Sequence, residues 1–144
     1  TGKFVSAEFS YEDLGSEEVA DNDHSWLEDA ACEHDAALPC AAVESRQKNK
    51  RSGYSRRVSF IDLDEYRVHR IDFYNRRGDL EKSLRFEYYR QYEGQFWRAH
   101  VMIMDNSQTG KSTRLAWGDY SFRKGLTERD FTPQGLPKAS RCPR

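Results

Sequence analysis

Five consecutive segments decide the fold: YSRRVSFID (Tyr54–Asp62), YRVHRIDFY (Tyr66–Tyr74), LEKSLRFEYYRQ (Leu80–Gln91), QFWRAHVMIMD (Gln95–Asp105) and STRLAWGDYSF (Ser112–Phe122). Each is rich in Val, Ile, Phe, Tyr and Trp, which suit a pleated, half-buried surface. Each largely alternates: Leu84, Phe86 and Tyr88 fall on one face, Arg85, Glu87 and Tyr89 on the other. The breaks are short and carry turn residues: Asp64-Glu65, Asn75 to Asp79, Glu93-Gly94 and Asn106 to Lys111. A parallel return needs a crossover of about a dozen residues or more, so these neighbours run antiparallel. The segments at Leu80 and Gln95 run about 11 residues, roughly twice the common strand. Strands that long twist and curve toward a barrel or half-barrel.

Working outward, the chain before Tyr54 reads as support for this sheet. Lys3 to Phe9 is an extended lead-in, and Ser10 to Gly15 is one helical turn with Ser10 as cap, acids in the first turn and Gly15 as terminator. Ser16 to Asp23 is an acidic loop. His24 to Cys32 and Pro39 to Arg46 are weaker strand candidates, and QKNKRSG (Gln47–Gly53) is a basic turn. Val101-Met102-Ile103-Met104 is apolar on both faces, so that strand is covered on both sides. After Phe122 the alternation stops. Gly125 to Leu136 suits a helical turn capped by Thr127, with Phe131 and Leu136 as anchors on the sheet; Pro133, Pro137 and Pro143 prevent a further strand. The reading is a mainly β chain: a curved antiparallel meander of about seven strands with one or two short helical segments. Residues 1–23 form the lead-in and helical turn, 24–122 the sheet, and 123–144 the closing turn and tail.

With 144 residues, one domain is expected. The 37% hydrophobic and 33% charged fractions fit a sheet with one wet face, and the 13% aromatic share supplies its core. A net charge of -1 gives no global attraction to nucleic acid or an anionic membrane surface. No apolar run approaches the ~18 residues of a membrane span. Thr1 to Ser10 has neither a basic start nor an apolar stretch of signal-peptide type. The chain opens in mid-flow without Met, as a mature protein or a fragment would.

Motifs for chemistry are sparse. Thr109 to Thr113 (TGKST) echoes the end of a P-loop, but position 105 is Asp and a strand follows, so it is a hairpin turn. His24, His34, His69 and His100 have no i, i+4 partner, and Cys32-Glu33-His34 lacks a second pair at zinc spacing. No metal and no catalytic group is assigned. Asp62, Asp64 and Glu65 sit at strand ends, where acids are solvated. Arg46, Lys48, Lys50, Arg51, Arg56 and Arg57 form a basic patch, and Arg interleaves with Tyr in the strands. Single-stranded nucleic acid would use such a face; cross-strand Arg–Tyr pairs on a wet face account for it equally, and the near-neutral charge favours them. Cys32 and Cys40 flank a hairpin loop, which places them to form a disulfide or leaves two buried thiols. Cys142, in the polar tail, is expected to be unpaired.

The ordered series of motifs resembles a family. Phe9-Ser10-Tyr11-Glu12-Asp13-Leu14, reached through Gly2-Lys3-Phe4, is similar to the F-S-Y-E-D-L stretch of outer-membrane lipoprotein-sorting proteins, the larger LolA-like proteins. The same order follows: a strand at Pro39-Cys40, a Tyr54-led strand after a basic turn, Phe73-Tyr74 before a Gly78 turn, and a Lys82 strand. Gly94-x-Phe96-Trp97, the Thr109-Gly110-Lys111-x-Thr113 hairpin and Phe131-Thr132-Pro133 to Leu136 complete it. The likeness runs from about Phe4 to Leu136 and corresponds to the C-terminal half of such proteins. It implies an unclosed half-barrel with helices plugging the concave side, and a carrier of lipoprotein or lipid acyl chains in the Gram-negative periplasm. It implies no cofactor and no enzyme, with a membrane transporter or an outer-membrane acceptor as protein partner. Such a carrier needs an apolar concavity, and the candidates to line it are Val58, Phe60, Ile71, Phe73, Leu84, Phe86, Trp97, Val101, Ile103, Leu115 and Trp117. A half sheet exposes its first strand's edge, so the 144-residue chain is expected to pair as a homo-dimer. An interaction module that docks a protein on the same sheet is the alternative function.

Overall fold

A computed structural model describes residues 7–15, 18–32, 35–49 and 51–132, with 35–37 as backbone. Seven strands follow in chain order: β1 (Asn22–Cys32), β2 (Asp35–Gln47), β3 (Tyr54–Asp62), β4 (Val68–Asn75), β5 (Leu80–Tyr92), β6 (Phe96–Asn106) and β7 (Ser112–Ala116). Each pairs antiparallel with the next, in one sheet of order β1-β2-β3-β4-β5-β6-β7. The first and last strands do not meet, so the sheet is unclosed. The expected meander is present, and the two weaker strand candidates are longer than expected, at 11 and 13 residues. Both are poor in strong β formers, with Trp26 in β1 and Val43 in β2, and the neighbouring ladder holds them: Ala42 pairs with Phe60 and Val43 with Ser59. The turns follow their residues. Asn75 accepts the amide N–H groups of Arg77 and Asp79 through Oδ1, and Gly78 takes φ 91°. Glu93 and Gly94 both have positive φ, which suits the twist of a tight hairpin.

Two expectations are corrected. The last strand stops at Ala116 rather than Phe122. Trp117 still donates its N–H to the His100 carbonyl, but Tyr120 and Phe122 turn onto the rings of Tyr92, Phe96 and His100 instead of extending the ladder. Aromatic packing there outcompetes strand pairing. Phe131 does not anchor on the sheet; it is 74% exposed at the end of the short 3-10 turn Glu128–Phe131. That turn is closed locally, by the Thr127 N–H on Asp130. Residues 3–6 of the lead-in, His34, Lys50, Pro133, Leu136, Pro137, Cys142 and Pro143 lie outside the described residues.

The core sits on one sheet face beneath the FSYEDL stretch. Ile71 pairs with Leu84, Leu84 with Met104, and Met104 with Thr113, and directly opposed residues share a face. Phe9 is fully buried against Tyr54, Phe73, Leu84 and Met104. α1 (Tyr11–Leu14) follows, with Ser10 capping through the Asp13 N–H and the Asp13 carboxylate accepting the Ser10 N–H. Asp13 also reaches into the sheet. It accepts the Tyr54 hydroxyl at 2.6 Å and pairs with the Lys82 ammonium at 2.6 Å. Lys82 further donates to the Glu8 carbonyl at 3.2 Å. Burial, helped by that carboxylate, pushes the Tyr54 hydroxyl far above its ordinary range, so it stays a donor.

Asp62, expected among the solvated acids at strand ends, is instead fully buried and organises the β3–β4 turn. Asp62 accepts the N–H groups of Glu65 and Arg67, the Arg67 guanidinium at 2.8 Å and the His69 ring at 2.9 Å. Burial alone would raise its pKa, but these donors outweigh it and hold the carboxyl well below its ordinary range. At the loop end of the first hairpin, a disulfide joins Cys32 to Cys40 with a Cα separation of 5.2 Å.

Two predictions follow from this packing. Phe9→Ala removes the plug and should destabilise the chain by about 3–5 kcal/mol in urea unfolding, with the loss set by how far the sheet collapses into the gap. A depressed carboxylate stabilises the fold above its unfolded-state pKa and loses that contribution as pH falls. Asp62→Asn should therefore cost about 3 kcal/mol at neutral pH, and the gap to wild type should narrow below about pH 4. A gap that stays constant through acid would remove Asp62 from this role.

Candidate functional site

The FSYEDL stretch covers only part of the core face. Further along the same face, Phe86 pairs with Met102 and Met102 with Leu115. There the packing opens into a cavity of ≈ 400 Å³. Phe86 and Tyr89 of β5 line it, with Trp97, Ala99 and Met102 of β6; Trp117 and Tyr120, from the irregular segment after β7, form a further wall. Arg98 is the one charged side chain lining it.

Local backbone geometry builds this space. Strict alternation would send Tyr89 to the face opposite Phe86. Instead Tyr88 takes φ 56°, a left-handed conformation that costs a non-glycine residue of order 1–2 kcal/mol. The strand turns there, Tyr88 stands 68% exposed, and Tyr89 lines the same cavity as Phe86. The expected face assignment thus holds at Leu84 and Phe86 and reverses at Tyr88 and Tyr89. The Tyr89 hydroxyl donates to the Val68 carbonyl at 2.6 Å, and burial pushes its pKa well up. Tyr120 donates to the Ala99 carbonyl at 2.9 Å; burial raises its pKa too. Both rings therefore spend their polar ends on backbone and turn apolar surface to the cavity.

Trp97 is fixed from outside. Its indole N–H donates to Glu65 at 3.0 Å, and the Arg67 guanidinium lies 4.6 Å from its ring centre. Arg67 is held by buried Asp62, so the β3–β4 turn positions a cavity wall. His100 ties β6 to the segment beyond β7: its Nε2 lies 2.6 Å from the Tyr92 hydroxyl and its Nδ1 3.3 Å from the Trp117 carbonyl oxygen.

The structure distributes the eleven sequence candidates over two faces. Phe86, Trp97 and Trp117 line the cavity. Phe73 and Leu84 are buried under Phe9, with Ile71 and Leu115 packed against that core. Val58, Phe60, Val101 and Ile103 belong to the other face, where Val58 opposes Asp72, Phe60 opposes Arg70 and Ile103 opposes Arg85. Arg70 lies over the Phe60 ring at 4.1 Å and pairs with Asp72 at 2.8 Å; Arg85 pairs with Asp105 at 3.1 Å. Tyr89, Ala99, Met102, Arg98 and Tyr120 were outside the candidate set. An apolar-on-both-faces run marked Met102, but no local signal marks the reversal at Tyr88. Within the basic patch, Arg56 makes cross-strand pairs: it lies 3.6 Å over the Tyr74 ring, its register partner, and pairs with Glu44 at 3.1 Å, while Arg46 pairs with Glu44 along the same strand. Among the described residues, no group of three or more His, Cys, Asp or Glu is placed to hold a metal ion.

Residues 1–138 match a protein-family model that carries only the description "uncharacterized protein". No curated protein matches the chain. Among solved structures, a candidate outer membrane lipoprotein-sorting protein domain from Vibrio parahaemolyticus superposes with a TM-score of 0.87 and 40% identity, over 94% of this chain and 56% of that one. A DUF1329 family protein from Desulfovibrio piger gives 0.84 at 24% identity, covering 93% and 55%. A LolA superfamily protein from Nitrosomonas europaea gives 0.66 at 20% identity, covering 81% and 51%. These last two show the fold. The chain spans about half the length of the solved structures it matches. Matched by that model over nearly all its length, the chain belongs to the family it describes, and it shares its fold, at 40% identity, with the Vibrio lipoprotein-sorting domain, in line with the resemblance read from the sequence.

Proposed function

We propose that the chain is a carrier domain that binds acyl chains of lipids or lipoproteins in the periplasm, without catalysis. The observation that carries this reading is the aromatic cavity between β5, β6 and the segment after β7. Its ≈ 400 Å³ falls within the range of small-molecule sites. Of the sequence candidates, Phe86, Trp97 and Trp117 bind the chain, joined by Tyr89, Ala99, Met102 and Tyr120. Each methylene buried there stabilises the complex by about 0.8 kcal/mol. The Cys32–Cys40 disulfide suits an oxidising compartment. The Vibrio relative's description, outer membrane lipoprotein sorting, supports the same class of cargo.

The edge of β1 has no strand beyond it among the described residues, and Trp26 and Leu27 are 59% and 49% exposed on it. Such an edge invites a further strand. We assign it to pairing with the remainder of a longer LolA-like protein, of which this chain is the C-terminal part, and, in that remainder's absence, with a second copy of the chain. A transporter or outer-membrane acceptor that delivers or receives the cargo is the protein partner this reading requires.

Three measurements check it. Ala99→Phe fills the cavity from a small residue, and should weaken fatty-acid binding at least about tenfold while urea unfolding shifts by no more than about 1–3 kcal/mol; undiminished binding would place the ligand elsewhere. Sedimentation of the 144-residue chain across a hundredfold concentration range should show dimer formation; a monomer throughout would end the self-pairing proposal. Alkylation of protein purified from periplasm should label Cys32 and Cys40 only after reduction.

A further inference from the structure

The cavity has one charge in its lining, and that charge is unspent. Arg98 is exposed at the cavity and donates to the Trp97 carbonyl at 2.7 Å, with the Phe122 ring centre 5.4 Å from its guanidinium carbon. Among the described residues no carboxylate pairs with it. The neighbouring charges are committed to other partners. Arg67 is held by Asp62 at 2.8 Å, Glu65 accepts the Trp97 indole N–H, Asp119 lies 3.8 Å from Arg90, and Glu93 lies 3.7 Å from Arg123. The rest of the lining is apolar or aromatic, and the two tyrosine hydroxyls are spent on backbone carbonyls. A ligand that fills this space with a hydrocarbon chain therefore meets a single cation, at the solvent-accessible side. Guanidinium matches carboxylate and phosphate oxygens with paired donors, and does so better than an ammonium.

We propose that this cavity binds a single-chain amphiphile with an anionic head, its chain against Phe86, Met102 and Trp97 and its carboxylate or phosphate on Arg98. The proposal rests on the acyl-binding reading of the same cavity and specifies its ligand. At ≈ 400 Å³, toward the small end for ligand sites, the space suits one chain rather than a lipid with two or three. Charge complementarity then selects among single-chain ligands: fatty acids and lysophospholipids with anionic heads are favoured over fatty alcohols, and cationic amphiphiles are rejected.

The test uses the fluorescence of Trp97 and Trp117 in the 144-residue chain. Laurate, dodecyl phosphate, dodecanol and dodecyltrimethylammonium are titrated below their micelle concentrations. Both anions should bind at one site per chain and at least about tenfold more tightly than dodecanol, the scale of one charge-assisted hydrogen-bonded contact. Dodecyltrimethylammonium should bind more weakly still. Arg98→Gln should remove the preference for the anions over dodecanol measured on the same variant, and Arg98→Lys should recover part of that preference. If neither laurate nor dodecyl phosphate binds the wild-type chain better than dodecanol does, the proposal is overturned while the acyl-carrier reading stays in place. Selectivity for anions that survives in Arg98→Gln also overturns it. If none of the four binds, both the proposal and the acyl-carrier reading fall. A preference for dodecyl phosphate over laurate, with the same Arg98 dependence, supports the proposal and points to a phosphate head; the reverse supports it and points to a fatty acid.

Discussion

A buried ion pair holds the two parts of this molecule together. Asp13, from a one-turn helix, and Lys82, from the middle of the sheet, meet at 2.6 Å with almost no solvent on either side chain. Charges so placed must be paired and hydrogen-bonded, because desolvation costs several kcal/mol per ion. The Tyr54 hydroxyl, the Ser10 amide and the Glu8 carbonyl complete the set. That requirement fixes where α1 sits, and hence where Phe9 enters the core. Replacing one partner leaves the other buried and unsatisfied, so the pair selects one docking position rather than simply adding stability. Asn106 and Thr113 extend the same lock, through the Glu8 carboxylate and the Glu8 amide, to the β6–β7 end of the sheet.

Because the plug is placed by that pair, it covers one end of the apolar face and leaves the other. What closes the uncovered end is a set of aromatic rings that abandon regular structure. Tyr120 lies edge-on to His100 at 5.4 Å, and Phe122 stacks on Phe96 at 4.8 Å. A strand continued through Phe122 would have carried Trp117 and Tyr120, three residues apart, to opposite faces. The irregular path lets Trp117 and Tyr120 face one space together. The left-handed Tyr88 does the same for β5. Cavity and irregularity have one origin: the sheet gives up ladder regularity where it makes room.

Arginines on the strands serve in three distinct ways. On the face opposite the core, Arg70 lies over Phe60 and pairs with Asp72, and Arg85, opposite Ile103, pairs with Asp105, which lets half-buried Phe60 and Ile103 border water. At the β3–β4 turn, Arg67 carries the position of buried Asp62 to Trp97. Arg98 lines the cavity and has no carboxylate partner among the described residues. Composition counts these residues as equivalent; their partners make them different.

The strand content, the antiparallel order and the turn positions were legible in the sequence, because alternation and turn chemistry are local. β3 matches its expected limits at both ends, Tyr54 and Asp62, and Ser10 caps the helical turn as its residue type suggests. The resemblance to LolA-like proteins was legible for the same reason: FSYEDL and the hairpin motifs are short stretches of neighbouring residues. The division of the eleven apolar candidates was not. Alternation relates Phe86 to Leu84 but says nothing about which of them Phe9 covers, since Phe9 lies more than seventy residues away in sequence. The reversal at Tyr88 was equally hidden, because its residue type does not favour positive φ and only the surrounding packing sustains it. Phe131 was assigned to the core on hydrophobicity alone, and the exposed 3-10 turn shows that a lone aromatic does not anchor a segment without a complementary surface. What the sequence by itself determined is therefore the ladder and its turns, where each residue's neighbours are near in the chain. What only the tertiary structure decided is which stretch of one face stays open, because that depends on side chains brought together from opposite ends of the chain.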